Sequence, residues 1–184
     1  TASGGTSYLW NTGATDNPYI VTPTIATNYK VTGTDANGCS NTAQATVTVN
    51  ALPTITVNST TICNGASATL NAGGGNTYLW NTGATSNSYL VSPTATTIYS
   101  VTGMNVSGCF NTAQATVVVN PLPVVVTNGG TICTGNIINV SASGANTYIW
   151  NTGATLNSFN VSPTVSTNYF VTGTDINGCK NTSQ

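Results

Sequence analysis

Few residues of this chain could act as an acid, a base or a metal ligand, and five of them are cysteines. Among 184 residues there are five Cys, two Lys or Arg, three Asp or Glu and no His. General acid–base catalysis needs titratable groups held close together, and zinc and haem sites need ligands that this composition lacks. Two cationic residues also cannot provide the basic surface that nucleic acids require. We therefore expect no enzyme, no cofactor, no catalytic or metal site and no nucleic-acid partner.

The cysteines fall at two positions of a fixed period. Cys39, Cys109 and Cys179 are spaced 70 residues apart, and so are Cys63 and Cys133. In a chain without His, this pattern indicates disulfides rather than a metal site. Disulfides persist in oxidising compartments, so the pattern predicts an extracellular or cell-surface location.

The same period organises the whole chain. The hexapeptide Trp-Asn-Thr-Gly-Ala-Thr begins at Trp10, Trp80 and Trp150, again 70 residues apart. Repetition at a fixed period, without insertions, indicates closed structural modules in tandem. The expected modules are the C-terminal part of one module, a complete module and a module that lacks its last strand, over residues 1–50, 51–120 and 121–184 respectively. We interpret the sequence as a stretch of a longer array.

Alternation within each module predicts strands. At Tyr29 and Val31 and at the equivalent positions of the other copies, apolar residues recur, while the residue between them changes from Lys to Ser to Phe. A period of two is typical of a strand with one buried face. We expect six or seven short antiparallel strands per ~70-residue module, which describes an all-β, immunoglobulin-like β-sandwich. The aromatic residues expected in its core are Trp10, Trp80, Trp150, Tyr29, Tyr99 and Tyr169.

Other segments add detail to this prediction. In the complete module, the first strand is predicted over Thr54–Cys63 and the last over Asn111–Asn120. No segment has a sustained helical period, so helix content should be negligible. No apolar run approaches the roughly 20 residues that a transmembrane helix needs, so we expect no transmembrane segment.

Several motifs follow one another in an order that resembles a known family. In the complete copy these are Cys63-Asn-Gly before Ser67-Ala-Thr-Leu, then Tyr78-Leu-Trp-Asn-Thr-Gly-Ala-Thr, Val91-Ser-Pro-Thr, Tyr99-Ser-Val-Thr and Ser107-Gly-Cys. The chain resembles the tandem bacterial immunoglobulin-like repeats, similar to polycystin-type (PKD) repeats, of Bacteroidota surface adhesins. The resemblance implies a long, secreted adhesin or structural protein of the cell surface. This family shares a scaffold rather than an activity.

The residues leave the pairing of the cysteines open. We favour the simplest scheme, which joins Cys63 to Cys109 and Cys133 to Cys179 within modules and leaves Cys39 to a partner upstream of the sequence. In an immunoglobulin-like topology, however, the first interstrand loop and the last hairpin lie at opposite ends of a module. Cys63 could then face Cys179 across a module junction. A third scheme, Cys39–Cys63 with Cys109–Cys133, is the least favoured.

Two sets of residues suggest ligands as well as structure. The three Trp, each with a Tyr two residues before it, could form a platform for stacking sugars, although strand-borne Trp is usually a core residue. Asp35 and Asp175 suggest calcium, but Asn105 takes their place in the middle copy. Calcium sites need several oxygen ligands with some charge, so we interpret this position as a hairpin tip.

The nearly uncharged composition predicts association. The formal net charge is −1, and the chain mostly lacks the charged residues that normally keep exposed strand edges from pairing. We expect an extracellular structural or adhesive repeat protein that self-associates into a surface rod, fibre or filament. The alternatives are a glycan- or surface-binding adhesin module, with glycans as partners, and a passive spacer stalk.

Overall fold

Every regular element of the chain is a β-strand. The computed structural model describes residues Thr1 to Gln184, with sixteen strands and no helix long and apolar enough to cross a membrane. Residues Thr1–Leu52 and Pro53–Gln184 form two compact units. The all-β fold predicted from the alternation of apolar residues is confirmed.

The first unit contains one antiparallel sheet. Its strands are β1 (Ser7–Trp10), β2 (Thr27–Thr34) and β3 (Ser40–Val47), in that order across the sheet. One face of the sheet buries Trp10, Tyr29 and Val31. Tyr29 and Val31 flank the exposed Lys30 on β2, as expected for a strand with one buried face.

Residues 54–120 form two sheets with a shared core. Three strands make the first sheet, in the order β4 (Thr56–Val57), β6 (Ala68–Gly73) and β8 (Ser88–Val91). Four strands make the second, in the order β5 (Thr60–Cys63), β10 (Phe110–Asn120), β9 (Thr97–Met104) and β7 (Thr77–Trp80). Both sheets contribute to one buried cluster, so this stretch is an immunoglobulin-like β-sandwich.

The core of this sandwich is centred on four side chains from four strands. Leu70 on β6, Trp80 on β7, Val101 on β9 and Val117 on β10 are at most 1% exposed. Successive side chains on a strand point to opposite faces. Leu79, next to Trp80, therefore points outward and is 55% exposed.

The first strand of the complete module changes sheets in its middle. The sequence predicts one strand over Thr54–Cys63, whereas the structure has β4 antiparallel to β6 and β5 parallel to β10. At the break, the side chain of Asn58 bonds to β6, because its Oδ1 accepts from Asn71 N (2.6 Å) and its Nδ2 donates to Thr69 O (3.2 Å). The expectation that all strands are antiparallel is therefore wrong for β5.

The last stretch of the chain repeats the arrangement in shorter form. One sheet contains β11 (Val126–Thr127), β12 (Ile138–Ser143) and β14 (Ser158–Val161), and the other contains β13 (Thr147–Trp150), β15 (Val171–Thr174) and β16 (Lys180–Ser183). The buried cluster is formed by Val140, Ala142, Trp150 and Val171. The orders β11-β12-β14 and β13-β15-β16 match β4-β6-β8 and β7-β9-β10. The chain thus consists of tandem immunoglobulin-like modules with a 70-residue period.

Two glycines allow the first segment of a module to lie close to its sheet. Gly74 and Gly144 have φ angles of 86° and 91°, in the region that favours glycine. A Cβ atom at either position would overlap the backbone carbonyl of Thr54 or Val124, respectively. At both positions, the positive φ angle and the close contact with a backbone carbonyl therefore exclude a side chain.

Truncating a core leucine should destabilise the chain far more than truncating an exposed one. We expect Leu70→Ala to lower the free energy of unfolding by about 2–5 kcal/mol, because it leaves a cavity. The matched variant Leu79→Ala should change it by less than about 0.5 kcal/mol. Urea unfolding followed by tryptophan fluorescence measures both values, and equal losses would contradict the assigned inward and outward faces.

The close approach at Gly74 should make this glycine less replaceable than others with the same backbone conformation. Gly83 has a φ of 90° with nothing within 4 Å of an added Cβ, so Gly83→Ala should cost only about 1–2 kcal/mol of backbone strain. Gly74→Ala should cost a further ~1–3 kcal/mol, because the methyl group displaces Thr54. Thermal unfolding of the two variants side by side checks this, and identical midpoints would be the contrary result.

Candidate functional site at the module junction

Each hairpin tip that precedes a periodic cysteine is held by the side chain of Asp or Asn. Asp175 Oδ1 accepts hydrogen bonds from the backbone N atoms of Asn177 and Cys179, both at 2.8 Å. Asp35 makes the same two bonds in the first unit, and the neutral Asn105 makes them in the complete module. A neutral amide makes the same two hydrogen bonds as a carboxylate, so this position does not need a charge. Its role is to stabilise the backbone of the hairpin tip. No group of three or more His, Cys, Asp or Glu is placed to hold a metal ion.

The other periodic cysteine lies at the opposite end of the module. Cys63 ends β5, and β5 runs parallel to the last residues of β10, with Cys63 opposite Asn120. The loop that follows is closed by hydrogen bonds from Asn64 N to Asn120 O (2.8 Å) and from Ala66 N to Cys63 O (3.0 Å). Cys63 therefore lies where the chain leaves this module and enters the next.

These positions bring Cys63 and Cys179 together in a disulfide across the junction. Their Cα atoms are 5.5 Å apart, and Cys179 is fully buried. The pairings Cys63–Cys109 and Cys133–Cys179 that the sequence favoured therefore do not form, and the alternative Cys63–Cys179 does. The physical reason is strand length: the eleven residues of β10 separate the hairpin at Cys109 from Cys63 by roughly 35 Å, while a disulfide spans at most about 7 Å between Cα atoms.

Three cysteines lie outside this disulfide: Cys39 and Cys109, which follow a hairpin tip, and Cys133, which is the counterpart of Cys63. Cys39 and Cys133 are exposed and carry no disulfide, and Cys109 is partly buried. Since Cys63 is bonded to Cys179, the third scheme, with Cys39–Cys63, does not form either. The pairing of Cys39 with a cysteine upstream of the sequence stays a prediction.

The recurring tryptophans lie inside the modules. Trp10, Trp80 and Trp150 are 7%, 1% and 2% exposed. Each indole nitrogen donates to a backbone carbonyl six residues later, at 3.0, 2.8 and 2.9 Å. Their ring faces and N–H groups are therefore already engaged by the module itself.

The tyrosines complete the same internal cluster. Tyr89 lies between Trp80 and Tyr99, with ring centroids 5.3 and 6.1 Å away, and equivalent triplets occur in the other two copies. Burial, with a smaller contribution from Tyr89, raises the pKa of Tyr99. The Tyr78 hydroxyl donates to Gly75 O (2.8 Å) and accepts from Gly75 N (3.0 Å). Tyr29 and Tyr99 are buried, and Tyr169 is partly buried. The tyrosines that precede the tryptophans are also partly buried, so no exposed sugar platform is formed by Trp10, Trp80 and Trp150 with Tyr8, Tyr78 and Tyr148.

One exposed surface of the modules is an uncharged row that is repeated in every copy. Leu79 pairs with Thr102 on β9, which pairs with Thr112 on β10, and all three face away from the core. The equivalent rows are Leu9, Thr32 and Thr42 in the first unit and Ile149, Thr172 and Thr182 in the last module. The apolar member of each row is 54–60% exposed. We call these three rows the outer rows.

Comparisons with known proteins find only distant structural likeness. No family model matches the chain, and no curated protein does. The chain is similar to a solved structure of a 1.5-MDa bacterial ice-binding adhesin, with 17% identity over 84% of this chain and 70% of that chain and a TM-score of 0.37.

Two further solved structures are similar to the chain at comparably low identity and TM-score. A Ca²⁺-stabilised adhesin with which an Antarctic bacterium binds ice is 16% identical, over 86% of this chain and 55% of that chain, with a TM-score of 0.38. Immunoglobulin domains 1–4 of Sidekick-1 are 13% identical, over 89% and 58%, with a TM-score of 0.36. These scores are too low to carry an argument, so the fold assignment rests on the strand order and core of this chain.

Proposed function

We propose that the chain is part of an extracellular structural repeat protein that forms a rod or fibre at the cell surface. The observation that carries this proposal is the Cys63–Cys179 disulfide, which joins one module covalently to the next. A disulfide between modules restrains their separation, which is a mechanical role rather than a catalytic one. Its presence also supports an oxidising, extracellular setting. We retain as part of this proposal the resemblance to the PKD-like repeats of Bacteroidota surface proteins.

The disulfide determines which residues carry force when the chain is pulled. It closes a loop with a sequence separation of 116 residues. Tension applied at the two ends passes from Cys63 directly to Cys179, so the two sandwich cores inside the loop are bypassed. A surface rod built in this way resists extension even if a module unfolds.

The outer rows support lateral association of such rods. They present leucine or isoleucine beside threonine on an exposed sheet face, and a net charge of −1 provides almost no repulsion between copies. The same spacing in each module allows neighbouring rods to make equivalent contacts repeatedly. We propose that these rows are the contact surfaces of a fibre.

Binding of glycans by the recurring aromatic residues receives no support. The tryptophans are buried, and the two exposed aromatic side chains, Phe110 and Phe170, are not at equivalent positions of the repeat. We also propose that this stretch has no enzymatic role, since it offers five formally charged side chains and none of them belongs to a catalytic cluster.

Pulling single molecules should reveal the covalent bypass. We expect the oxidised chain, held at its two ends, to reach a fully unfolded length about 400 Å shorter than the reduced chain, because some 115 residues extend at most ~3.6 Å each. Atomic force spectroscopy measures this length directly. The double variant Cys63→Ser/Cys179→Ser should show the longer length in oxidising buffer, and no difference between the three samples would refute a junction disulfide.

Charge on the outer rows should prevent fibre formation. We expect the triple variant Leu9→Lys/Leu79→Lys/Ile149→Lys to remain folded but to stay dispersed, whereas the parent chain forms regular filaments in electron micrographs. The matched control Ile25→Lys/Ala95→Lys/Val165→Lys adds the same charge at exposed loop positions and should still assemble. Filaments from the first variant, or their loss in the control alone, would rule out the outer rows as the contact surface.

A further inference from the structure

We propose that Asn64, at the junction between the complete module and the last one, is a site of spontaneous deamidation. The chain has four Asn-Gly pairs, which begin at Asn37, Asn64, Asn128 and Asn177. In such a pair, the backbone nitrogen of the glycine can attack the side-chain carbonyl carbon of the asparagine, because glycine has no Cβ atom to hinder the approach. This chemistry is independent of whether the chain forms a rod or a fibre.

Deamidation at Asn64 consists of two steps. Gly65 N forms a bond to Asn64 Cγ, the side-chain amide leaves as ammonia together with the proton of the Gly65 N–H group, and a cyclic succinimide results. Water then opens the ring at either of its two carbonyl groups and yields aspartate or isoaspartate. The net change is the loss of ammonia and the gain of water, so no oxidant and no enzyme is consumed.

The side chain of Asn128 is held away from this reaction. All four asparagines are exposed, so access of water does not distinguish them, whereas hydrogen bonding does. Asn128 Oδ1 accepts from Ser141 N (2.6 Å), and Asn128 Nδ2 donates to Asn139 O (2.9 Å). The amide of Asn128 must break both bonds before it can turn towards Gly129 N.

At Asn37 and Asn177, it is the attacking glycine nitrogen that is held. Gly38 N donates to Asp35 O, and the equivalent glycine donates to Asp175 O, both at 3.2 Å. The backbone nitrogen of each asparagine also donates to Oδ1 of the same aspartate, at 2.8 Å. The hairpin tip must therefore open before the glycine nitrogen can react.

Neither restraint is present at Asn64. The turn is closed by its flanking backbone groups, since Asn64 N donates to Asn120 O (2.8 Å) and Ala66 N donates to Cys63 O (3.0 Å). The side-chain amide of Asn64 and the N–H group of Gly65 make no hydrogen bond within the chain. An added Cβ at Gly65 would meet nothing within 4 Å. Both reacting groups are therefore available without the loss of a hydrogen bond.

The product would alter the link between the modules. Asn64 directly follows Cys63, whose disulfide partner Cys179 donates its backbone N–H group to Asp175. Deamidation places a further negative charge beside this link, on a chain with a formal net charge of −1. Isoaspartate also adds one carbon atom to the main chain, inside the turn closed by Ala66 N and Cys63 O.

Peptide mapping by mass spectrometry of the whole oxidised chain, incubated in neutral buffer, tests the proposal. We expect Asn64 to convert first, Asn37 and Asn177 to convert more slowly, and Asn128 to convert about tenfold more slowly than Asn64 or slower still, because two hydrogen bonds must break. Electron-transfer fragmentation separates isoaspartate from aspartate. In the reduced chain unfolded in urea, all four sites should react at similar rates. Faster conversion at any other site of the folded chain, or the same order in the unfolded chain, would overturn the proposal.

Two variants separate the roles of the reacting groups and of the restraining bonds. Asn64→Gln should abolish the early conversion, because a glutamine would have to form a less favourable six-membered ring, and should leave the other three sites unchanged. Asp35→Ala removes the Oδ1 acceptor of Asn37 N and Cys39 N and should accelerate conversion at Asn37 several-fold. Asn177, whose Asp175 is intact, is the matched internal control. An unchanged rate at Asn37 would refute protection by these hydrogen bonds.

Discussion

The burial of one tryptophan between two small sheets is the interaction on which each two-sheet module, over residues 54–120 and 124–183, depends. Trp80 is enclosed by residues of both sheets, and its N–H group is satisfied by Ser86 O at 2.8 Å. Because side chains alternate along a strand, fixing Trp80 inward fixes Leu79 outward, opposite Thr102. The uncharged outer rows are therefore a consequence of the core. A sequence that repeats the core every 70 residues repeats the outer surface as well.

The position of the disulfide follows from the same architecture. Modules of ~70 residues bury only about 60% of their surface and are marginally stable, and antibody domains reinforce such a core with a disulfide between the sheets. Here Leu70 and Val101 fill the inner positions of β6 and β9, and the cysteines lie at the module ends. Closing a 116-residue loop contributes roughly 5 kcal/mol in the chain-entropy model. The disulfide therefore restrains two neighbouring modules relative to each other rather than the two sheets of one sandwich.

The strands and the buried tryptophans could be predicted from the sequence because they depend on local alternation of apolar residues. The break in the first strand and the disulfide pairing could not, because they depend on contacts between distant parts of the chain. The strand Thr27–Thr34 follows from the two-residue period at Tyr29 and Val31, and the three tryptophans lie in the core. The division of the first strand at Asn58 was missed, because a single Asn within a strand does not reveal that its side chain replaces backbone hydrogen bonds. The favoured cysteine pairing was wrong because it joined cysteines of the same module without considering the length of the strand that separates them. Counting the eleven residues of β10 between the two module ends would have favoured Cys63–Cys179.

Comparing the copies shows which contacts recur with the sheet. Trp10 donates to Asp16 O and contacts the ring of Tyr19, as Trp80 donates to Ser86 O and contacts Tyr89. In the complete module, the segment that contains Pro53 and Ile55 packs beside Gly103 and Asn111, near the hairpin end, while Cys63 lies at the other end of β10. Docking of the segment and covalent linkage to the next module thus use separate surfaces, so each can be altered without disturbing the other.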